Sequence, residues 1–242
     1  MVRKRADLLL VERGLFESRA KARAAIEAGG VVAAGQPVGR ASDLLDEAVE
    51  LAAEPAHPWV GRGALKLAHA LEIWPVQVAG RVVLDVGAST GGFTEVCLHA
   101  GARKVFAVDV GRSQLHPRLV ADQRVVNLQG LDARDLTSEL VTEPPGLIVT
   151  DVSFISLAKA LGPALDLAAP GAELVALVKP QFEVGPDRVG KGGIVKDREA
   201  QDQALADAGA FVAGRGWRIL ATAESPIAGG DGNREFLLWA SR

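Results

Sequence analysis

The order of apolar and polar positions divides the chain into two differently built stretches. In the first, the apolar run beginning at Leu8 predicts a short helix over residues 7–13. A second helix is expected over 15–28, with Ser18 as N-cap and Ile26 as its main apolar anchor. Gly29-Gly30 stops it. Val31-Val32 then reads as a strand, Gly35-Gln36-Pro37-Val38 as a strand and tight turn, and Val49–Leu51 as a last short strand. The breakers Glu54-Pro55-Ala56-His57-Pro58 close a unit of residues 1–56, and 57–62 read as a linker.

From residue 63 onward the pattern alternates. A helix over 63–71 precedes strands over 81–86, 104–110, 124–128, 147–152 and 173–178. Helices are expected over 91–100, 156–169 and 197–214. Two final strands, 218–224 and 235–240, have only a loop between them and suggest an antiparallel hairpin at one edge. Strands alternating with helices predict an α/β fold, a doubly wound and mostly parallel sheet, over residues 63–242. The stretch 183–196, with its glycines, its proline and three basic residues, reads as a mobile loop beside a strand end.

Composition narrows the function. The 48% hydrophobic and 24% charged fractions are those of a globular protein, not of a coiled coil or disordered chain. One cysteine, Cys97, excludes an intrachain disulfide and cysteine-rich zinc sites, and four scattered histidines give no metal-binding spacing. No metal is expected. The first apolar run is too short for a signal peptide or a spanning helix, so a cytoplasmic protein with no membrane partner is expected, a monomer by default. The net charge of −3 hides an uneven distribution. Residues 1–40 carry +4, 41–57 carry −5, and the remainder −2. A basic N-terminal segment suggests an anionic partner such as nucleic acid. Arg5, Arg13, Ser18, Arg19, Lys21 and Arg23 are its candidate RNA-binding residues, although such a helix face is ordinarily just solvated.

The candidate chemistry sits at strand ends. Asp85, Gly87, Ala88, Ser89, Thr90, Gly91, Gly92 and Phe93 follow a strand and open a helix. Asp109 lies 24 residues after Asp85, where an acid can accept hydrogen bonds from ribose hydroxyls. An acid ahead of the first glycine suits a cationic or zwitterionic ligand such as S-adenosylmethionine better than a pyrophosphate. Asp151 and Lys179 end the fourth and fifth strands, and an antiparallel last strand brings Glu235 to the same edge. Each residue alone has an ordinary reading. Converging on one edge, they make a candidate active site.

The stretch from Arg13-Gly14-Leu15 through Ser18-Arg19, Ile26, Gly29, Val32, Gly35 and Val38 resembles an S4 RNA-binding domain. Asp85–Glu95, with the series Lys66, Asp151, Lys179 and Glu235, resembles the FtsJ-like 2′-O-ribose methyltransferases. Together with Asp151–Leu157 and Leu177–Glu183, the whole resembles the TlyA family, often labelled haemolysin A. The resemblance implies a class I fold using S-adenosylmethionine, and methylation of a cytidine 2′-hydroxyl in ribosomal RNA. It implies a catalytic tetrad Lys66, Asp151, Lys179 and Glu235, a cofactor loop from Asp85 to Phe93, ribose contact by Asp109 and an adenine-side acid at Asp132. The family's linker usually begins with arginine, where this chain has His57. The chain ends soon after its last strand, as in shorter family members, which favours large-subunit RNA as substrate.

A 2′-hydroxyl is a weak acid, so its attack on a sulfonium methyl needs in-line positioning and proton removal. A lysine beside another cation in a desolvated crevice gives up its proton more readily. Lys179 is the expected base, Lys66 the group that orients the hydroxyl or its phosphate, and Asp151 and Glu235 hold the lysines. The competing readings are a non-catalytic RNA-binding or ribosome-assembly factor and a membrane-active haemolysin. The first needs no intact tetrad. The second lacks a long amphipathic or spanning segment.

Overall fold

A computed structural model describes residues 2–242. They form two compact units, residues 2–58 and 59–242.

In the first unit, β1 (Arg3–Arg5) leads directly into α1 (Ala6–Glu12), followed by α2 (Arg19–Glu27). Then come β2 (Val31–Ala33), β3 (Gln36–Pro37), β4 (Leu44–Asp46) and β5 (Leu51–Ala53). The second helix starts at Arg19 rather than at residue 15. Ser18 is extended at φ −153°, and its hydroxyl accepts from the Lys21 N–H at 3.3 Å, capping the helix. Phe16, ahead of the cap, is buried beside Leu10, Ala22, Ile26, Val31 and Val38. β1 has no alternating pattern to announce it. Its Arg-Lys-Arg is a strand because its main chain pairs antiparallel with β4.

The second unit begins with α3 (Ala64–Ile73), β6 (Val82–Val86), α4 (Gly92–His99), β7 (Lys104–Asp109), α5 (Pro117–Val120) and β8 (Val125–Gln129). It continues with β9 (Leu147–Thr150), α6 (Leu157–Ala160), α7 (Gly162–Asp166), β10 (Glu173–Val178) and α8 (Pro180–Glu183). α9 (Arg198–Gly214), β11 (Arg218–Glu224) and β12 (Phe236–Ser241) complete it. The single helix expected over 156–169 is two short ones. Pro163 has no N–H to donate, and its ring would clash with the carbonyl one turn back, so the chain breaks at Leu161.

The seven-stranded sheet has the order β11-β12-β10-β9-β6-β7-β8. β12 pairs antiparallel with both β10 and β11, while β10, β9, β6, β7 and β8 run parallel. The expected hairpin is there, with β11 outermost and β12 inserted beside β10. β6 and β10 are buried on both faces, which is why they read as largely apolar runs, broken only by Asp85 and Glu173. α3, α4 and α5 cover one face through Leu67, Phe93, Cys97 and Leu119. α6, α7 and α9 cover the other through Leu157, Leu165 and Val212. β11 alternates between exposed and half-buried positions, as an edge strand does.

The strand order reverses between β6 and β9, so the chain leaves those two strands in opposite directions and opens a crevice at their carboxyl ends. The loop expected to be mobile is anchored at its far end. Asn233 Oδ1 accepts from the Val195 N–H at 2.9 Å, and its Nδ2 donates to the Gly193 carbonyl at 2.8 Å. No helix among the described residues is long and apolar enough to cross a membrane.

Candidate active site

Four of the expected residues meet at the carboxyl edge of the sheet. Lys66 lies in the first turn of α3, Asp151 directly after β9, Lys179 directly after β10 and Glu235 directly before β12. Val178 is paired with Phe236, so Lys179 and Glu235 come next to each other across the ladder. Their side chains nevertheless choose other partners. Lys66 Nζ contacts Glu235 Oε2 at 2.5 Å, and Lys179 Nζ contacts Asp151 Oδ1 at 2.6 Å. Lys66, Lys179 and Glu235 are each less than a tenth exposed. The tetrad is therefore two lysine–carboxylate pairs, each nearly neutral overall, rather than two bare cations side by side. Pairing is what lets charges sit in so dry a place.

The turn between β6 and α4 passes close to these pairs. Gly87 has φ +86°, and a Cβ there would lie 3.0 Å from the Asp151 carbonyl oxygen and the Val152 nitrogen. Only glycine allows that approach. Asp109 stitches the same turn in place: its Oδ2 accepts from the Ser89 N–H and its Oδ1 from the Gly111 N–H, both at 2.7 Å. Each oxygen keeps a lone pair for a further donor.

Asp85 is fully buried beneath the turn. Its Oδ2 accepts from the Thr94 hydroxyl at 2.6 Å, and its Oδ1 has no hydrogen-bond partner. Burial pushes the carboxyl up to about 7, with Thr94 opposing and the Asp151 and Asp109 charges adding to the rise. Asp132 is different. Arg134 engages it through the main-chain N–H and the guanidinium, and that contact holds its carboxyl down at about 2.

Two cavities adjoin the turn and share Gly87, Ser89 and Asp151 in their walls. The larger, of about 480 Å³, runs past Asp109, Leu131, Asp132, Val152 and Phe154. The smaller, of about 260 Å³, lies between Gly61, Arg62, Gly63, Ala88, Thr90 and Phe93. The expected cofactor residues are thus gathered around these two adjoining cavities, apart from Asp85 beneath the turn and Gly91 at the entry to α4. The space is apolar along one wall and acidic at Asp109 and Asp132. Asp85 adds an unpartnered oxygen below. That donor set fits a nucleoside carrying a cationic amino-acid tail.

Reading the sequence missed three features. A Cβ at Gly61 would lie 2.7 Å from Thr90 Oγ1, closer than a side chain could sit without a shift, and one at Gly63 would lie 3.3 Å from Asp151 Oδ2. Ser153 Oγ accepts from Lys179 Nζ at 2.8 Å. Phe154 is 90% exposed and has φ +66°, an unusual backbone for a bulky side chain. An exposed phenylalanine beside buried charges is visible only once the fold is known.

The candidate RNA-binding residues of the first unit divide by partner. Asp7 is 5% exposed and holds two guanidinium groups that face solvent. Its Oδ1 meets Arg5 Nε at 2.9 Å and its Oδ2 meets Arg19 Nη2 at 2.8 Å. Arg5, joined by Arg19, keeps the Asp7 carboxyl down at about 2 against the opposing effect of burial. Arg13 instead turns to the chain, donating to the Val49 carbonyl at 2.6 Å and to the Glu47 carbonyl. Lys21 pairs with Glu17 at 2.5 Å and Arg23 with Glu27 at 3.6 Å, while Ser18 caps α2.

Residues 59–242 match the family model of FtsJ-like methyltransferases. The chain is 43% identical to the 16S/23S rRNA (cytidine-2′-O)-methyltransferase TlyA of Mycobacterium tuberculosis, over 98% of this chain and 89% of that protein. It is 38% identical to the 23S rRNA (cytidine-2′-O)-methyltransferase TlyA of Campylobacter jejuni, over 75% of this chain and 70% of that one. A solved structure from Streptococcus thermophilus that carries a hemolysin label superimposes with a TM-score of 0.78 at 37% identity. It covers all of this chain and 89% of its own. The chain belongs to the TlyA family of FtsJ-like methyltransferases, enzymes whose fold serves an S-adenosylmethionine-type cofactor.

Proposed function

We propose that the chain methylates the 2′-hydroxyl of a cytidine in ribosomal RNA, with S-adenosylmethionine as donor and large-subunit RNA as the favoured acceptor. Residues 1–56 act as an S4-like RNA-binding domain, 57–62 as the linker and 63–242 as the catalytic domain. The observation that carries this reading is the pair of enclosed lysine–carboxylate contacts beside a cavity fit for a nucleoside. Large-subunit RNA is common to the names of both rRNA-modifying relatives.

When bound, S-adenosylmethionine supplies an electrophilic methyl group on a sulfonium that leaves as a neutral thioether. Asp85, with its unpartnered Oδ1 beneath the turn, favours the positive amino-acid end. Asp109 offers its remaining lone pairs to ribose hydroxyls. Asp132 keeps a lone pair on Oδ2 for the adenine side. The glycine turn lets main chain and ligand approach closely.

Lys179, as the free amine left once its ammonium has given a proton to solvent, takes the proton of the attacking 2′-hydroxyl as the new oxygen–carbon bond forms and the carbon–sulfur bond breaks. Asp151 stabilises the ammonium that results. Lys66, held by Glu235, orients the ribose or the adjoining phosphate. Much of the acceleration comes from fixing two reactants in line. Phe154 offers an exposed ring face at the cavity mouth, on which an unstacked base can rest. In the first unit, Arg5 and Arg19 face outward and suit phosphate contacts.

The test is incubation of the protein with radiolabelled S-adenosylmethionine and unmodified small and large subunits, separately, followed by nucleoside analysis. The expected product is 2′-O-methylcytidine in large-subunit RNA. Label in a base-methylated nucleoside, or none on either subunit while the cofactor still binds, would overturn the reading.

A further inference from the structure

Lys179 reaches its site on a flexible four-carbon stem, and a base on such a stem works only if its nitrogen is aimed. Two groups touch Nζ: Asp151 Oδ1 at 2.6 Å and Ser153 Oγ at 2.8 Å. They do different things. The serine contact has the alignment of a hydrogen bond. The aspartate contact is close but lacks that alignment, and Oδ1 has no hydrogen-bonded donor. A Coulomb attraction depends on distance and leaves the ammonium free to turn about its Cε–Nζ bond. A hydrogen bond depends on angle and stops that rotation.

The loop that carries Ser153 is held for this purpose. Phe154 follows it at φ +66°, a left-handed conformation that is unfavourable for a residue with a Cβ. Such a conformation persists where its surroundings impose it. Two residues of α8 brace the loop, although the Phe154 ring stays largely exposed. The Phe182 ring packs against that of Phe154, with centroids 5.1 Å apart. Glu183 Oε1 accepts from the Leu157 N–H at 2.9 Å, capping α6, whose own Ser156 makes no side-chain cap. Helix α8 begins at the residue after Lys179. The short helix that follows the lysine therefore fixes the loop that aims it.

We infer that Ser153 is a positioning residue: it sets the direction of the Lys179 nitrogen, while Asp151 supplies the charge. The inference rests on Lys179 being the base. It is tested by Ser153→Ala and Ser153→Thr in single-turnover methyl transfer at saturating cofactor and RNA, with Lys179→Ala run beside them. Ser153→Ala is expected to slow transfer about ten- to a hundredfold. Its affinities for cofactor and RNA should stay within about twofold, because Ser153, although it lines the larger cavity, spends its hydroxyl on Lys179. Ser153→Thr keeps the hydroxyl and is expected to recover to within about threefold of wild type. A wild-type rate in Ser153→Ala would overturn the inference. So would a defect confined to binding, or a threonine variant as slow as alanine. If Lys179→Ala itself transfers at the wild-type rate, the base assignment falls and the inference with it. If Lys179→Ala is inactive and Ser153→Ala is normal, only the inference falls.

Discussion

The two units organise charge in opposite senses. In the first, the acid is inside and the bases are outside. Asp7 is 5% exposed, and the guanidinium groups of Arg5 and Arg19 are 42% and 57% exposed around it. In the second, the bases are inside: Lys66 and Lys179 are nearly buried and meet their carboxylates in the crevice. A buried acid with outward arginines gives a fixed, always-charged surface that suits a polyanion. Buried lysines with acid partners give ammonium groups whose proton can be exchanged, which suits chemistry at one hydroxyl. The same ion pair serves opposite ends, according to which partner faces solvent.

The contrast is sharpest at Lys179. Replacing it by alanine is expected to reduce methyl transfer by about a thousandfold, with cofactor affinity within about twofold, measured by single turnover and calorimetry. Near-normal transfer would make the inner lysines merely structural and erase the contrast.

A smaller effect tests the acid beneath the glycine turn. With the Asp85 carboxyl at about 7, the cofactor-free protein holds a neutral acid at lower pH. The positive end of the cofactor favours the ionised form. The apparent Kd should therefore rise as pH falls below about 7, by up to about tenfold per unit, and flatten in Asp85→Asn. The same shift has a second sign. Between 3.8 and about 7 the unfolded chain has already released this proton while the folded chain keeps it. Stability without cofactor therefore declines as pH rises through that window. A pH-independent Kd would separate Asp85 from the cofactor.

The smallest effects lie in the first unit. Arg19→Ala should weaken RNA binding several-fold at low salt and reduce the slope of log affinity against log salt by about one. Arg13→Ala should leave that slope unchanged and destabilise the unit by roughly 1 kcal/mol, because Arg13 is bound to main-chain carbonyls. Equal salt slopes for the two variants would mean that the outward guanidinium groups are not the phosphate contacts.

Much of the fold was legible in the residues. The central strands of the second unit announced themselves because a sheet covered on both faces is predominantly apolar, as in Val82–Val86 and over 174–178. Ser18 announced α2, since a serine hydroxyl at that position satisfies a free N–H. β1 was not legible, because a charged triplet becomes a strand only when another main chain lies beside it. The break at Leu161 was missed although Pro163 marks it.

The site divides in the same way. Local sequence determined the glycine turn, the acids at strand ends and Lys179, because each depends on where a strand stops, whereas Lys66, on a helix, was legible only through the family resemblance. It could not decide that Lys66 would pair with Glu235 and Lys179 with Asp151, when Lys179 and Glu235 are the neighbours across the β10–β12 ladder. It could not show that Ser153 and Phe154 stand at the mouth, nor that Asp7 would gather Arg5 and Arg19. Those outcomes join residues from separate elements. They are fixed by strand order and side-chain reach, which exist only once the chain has closed on itself.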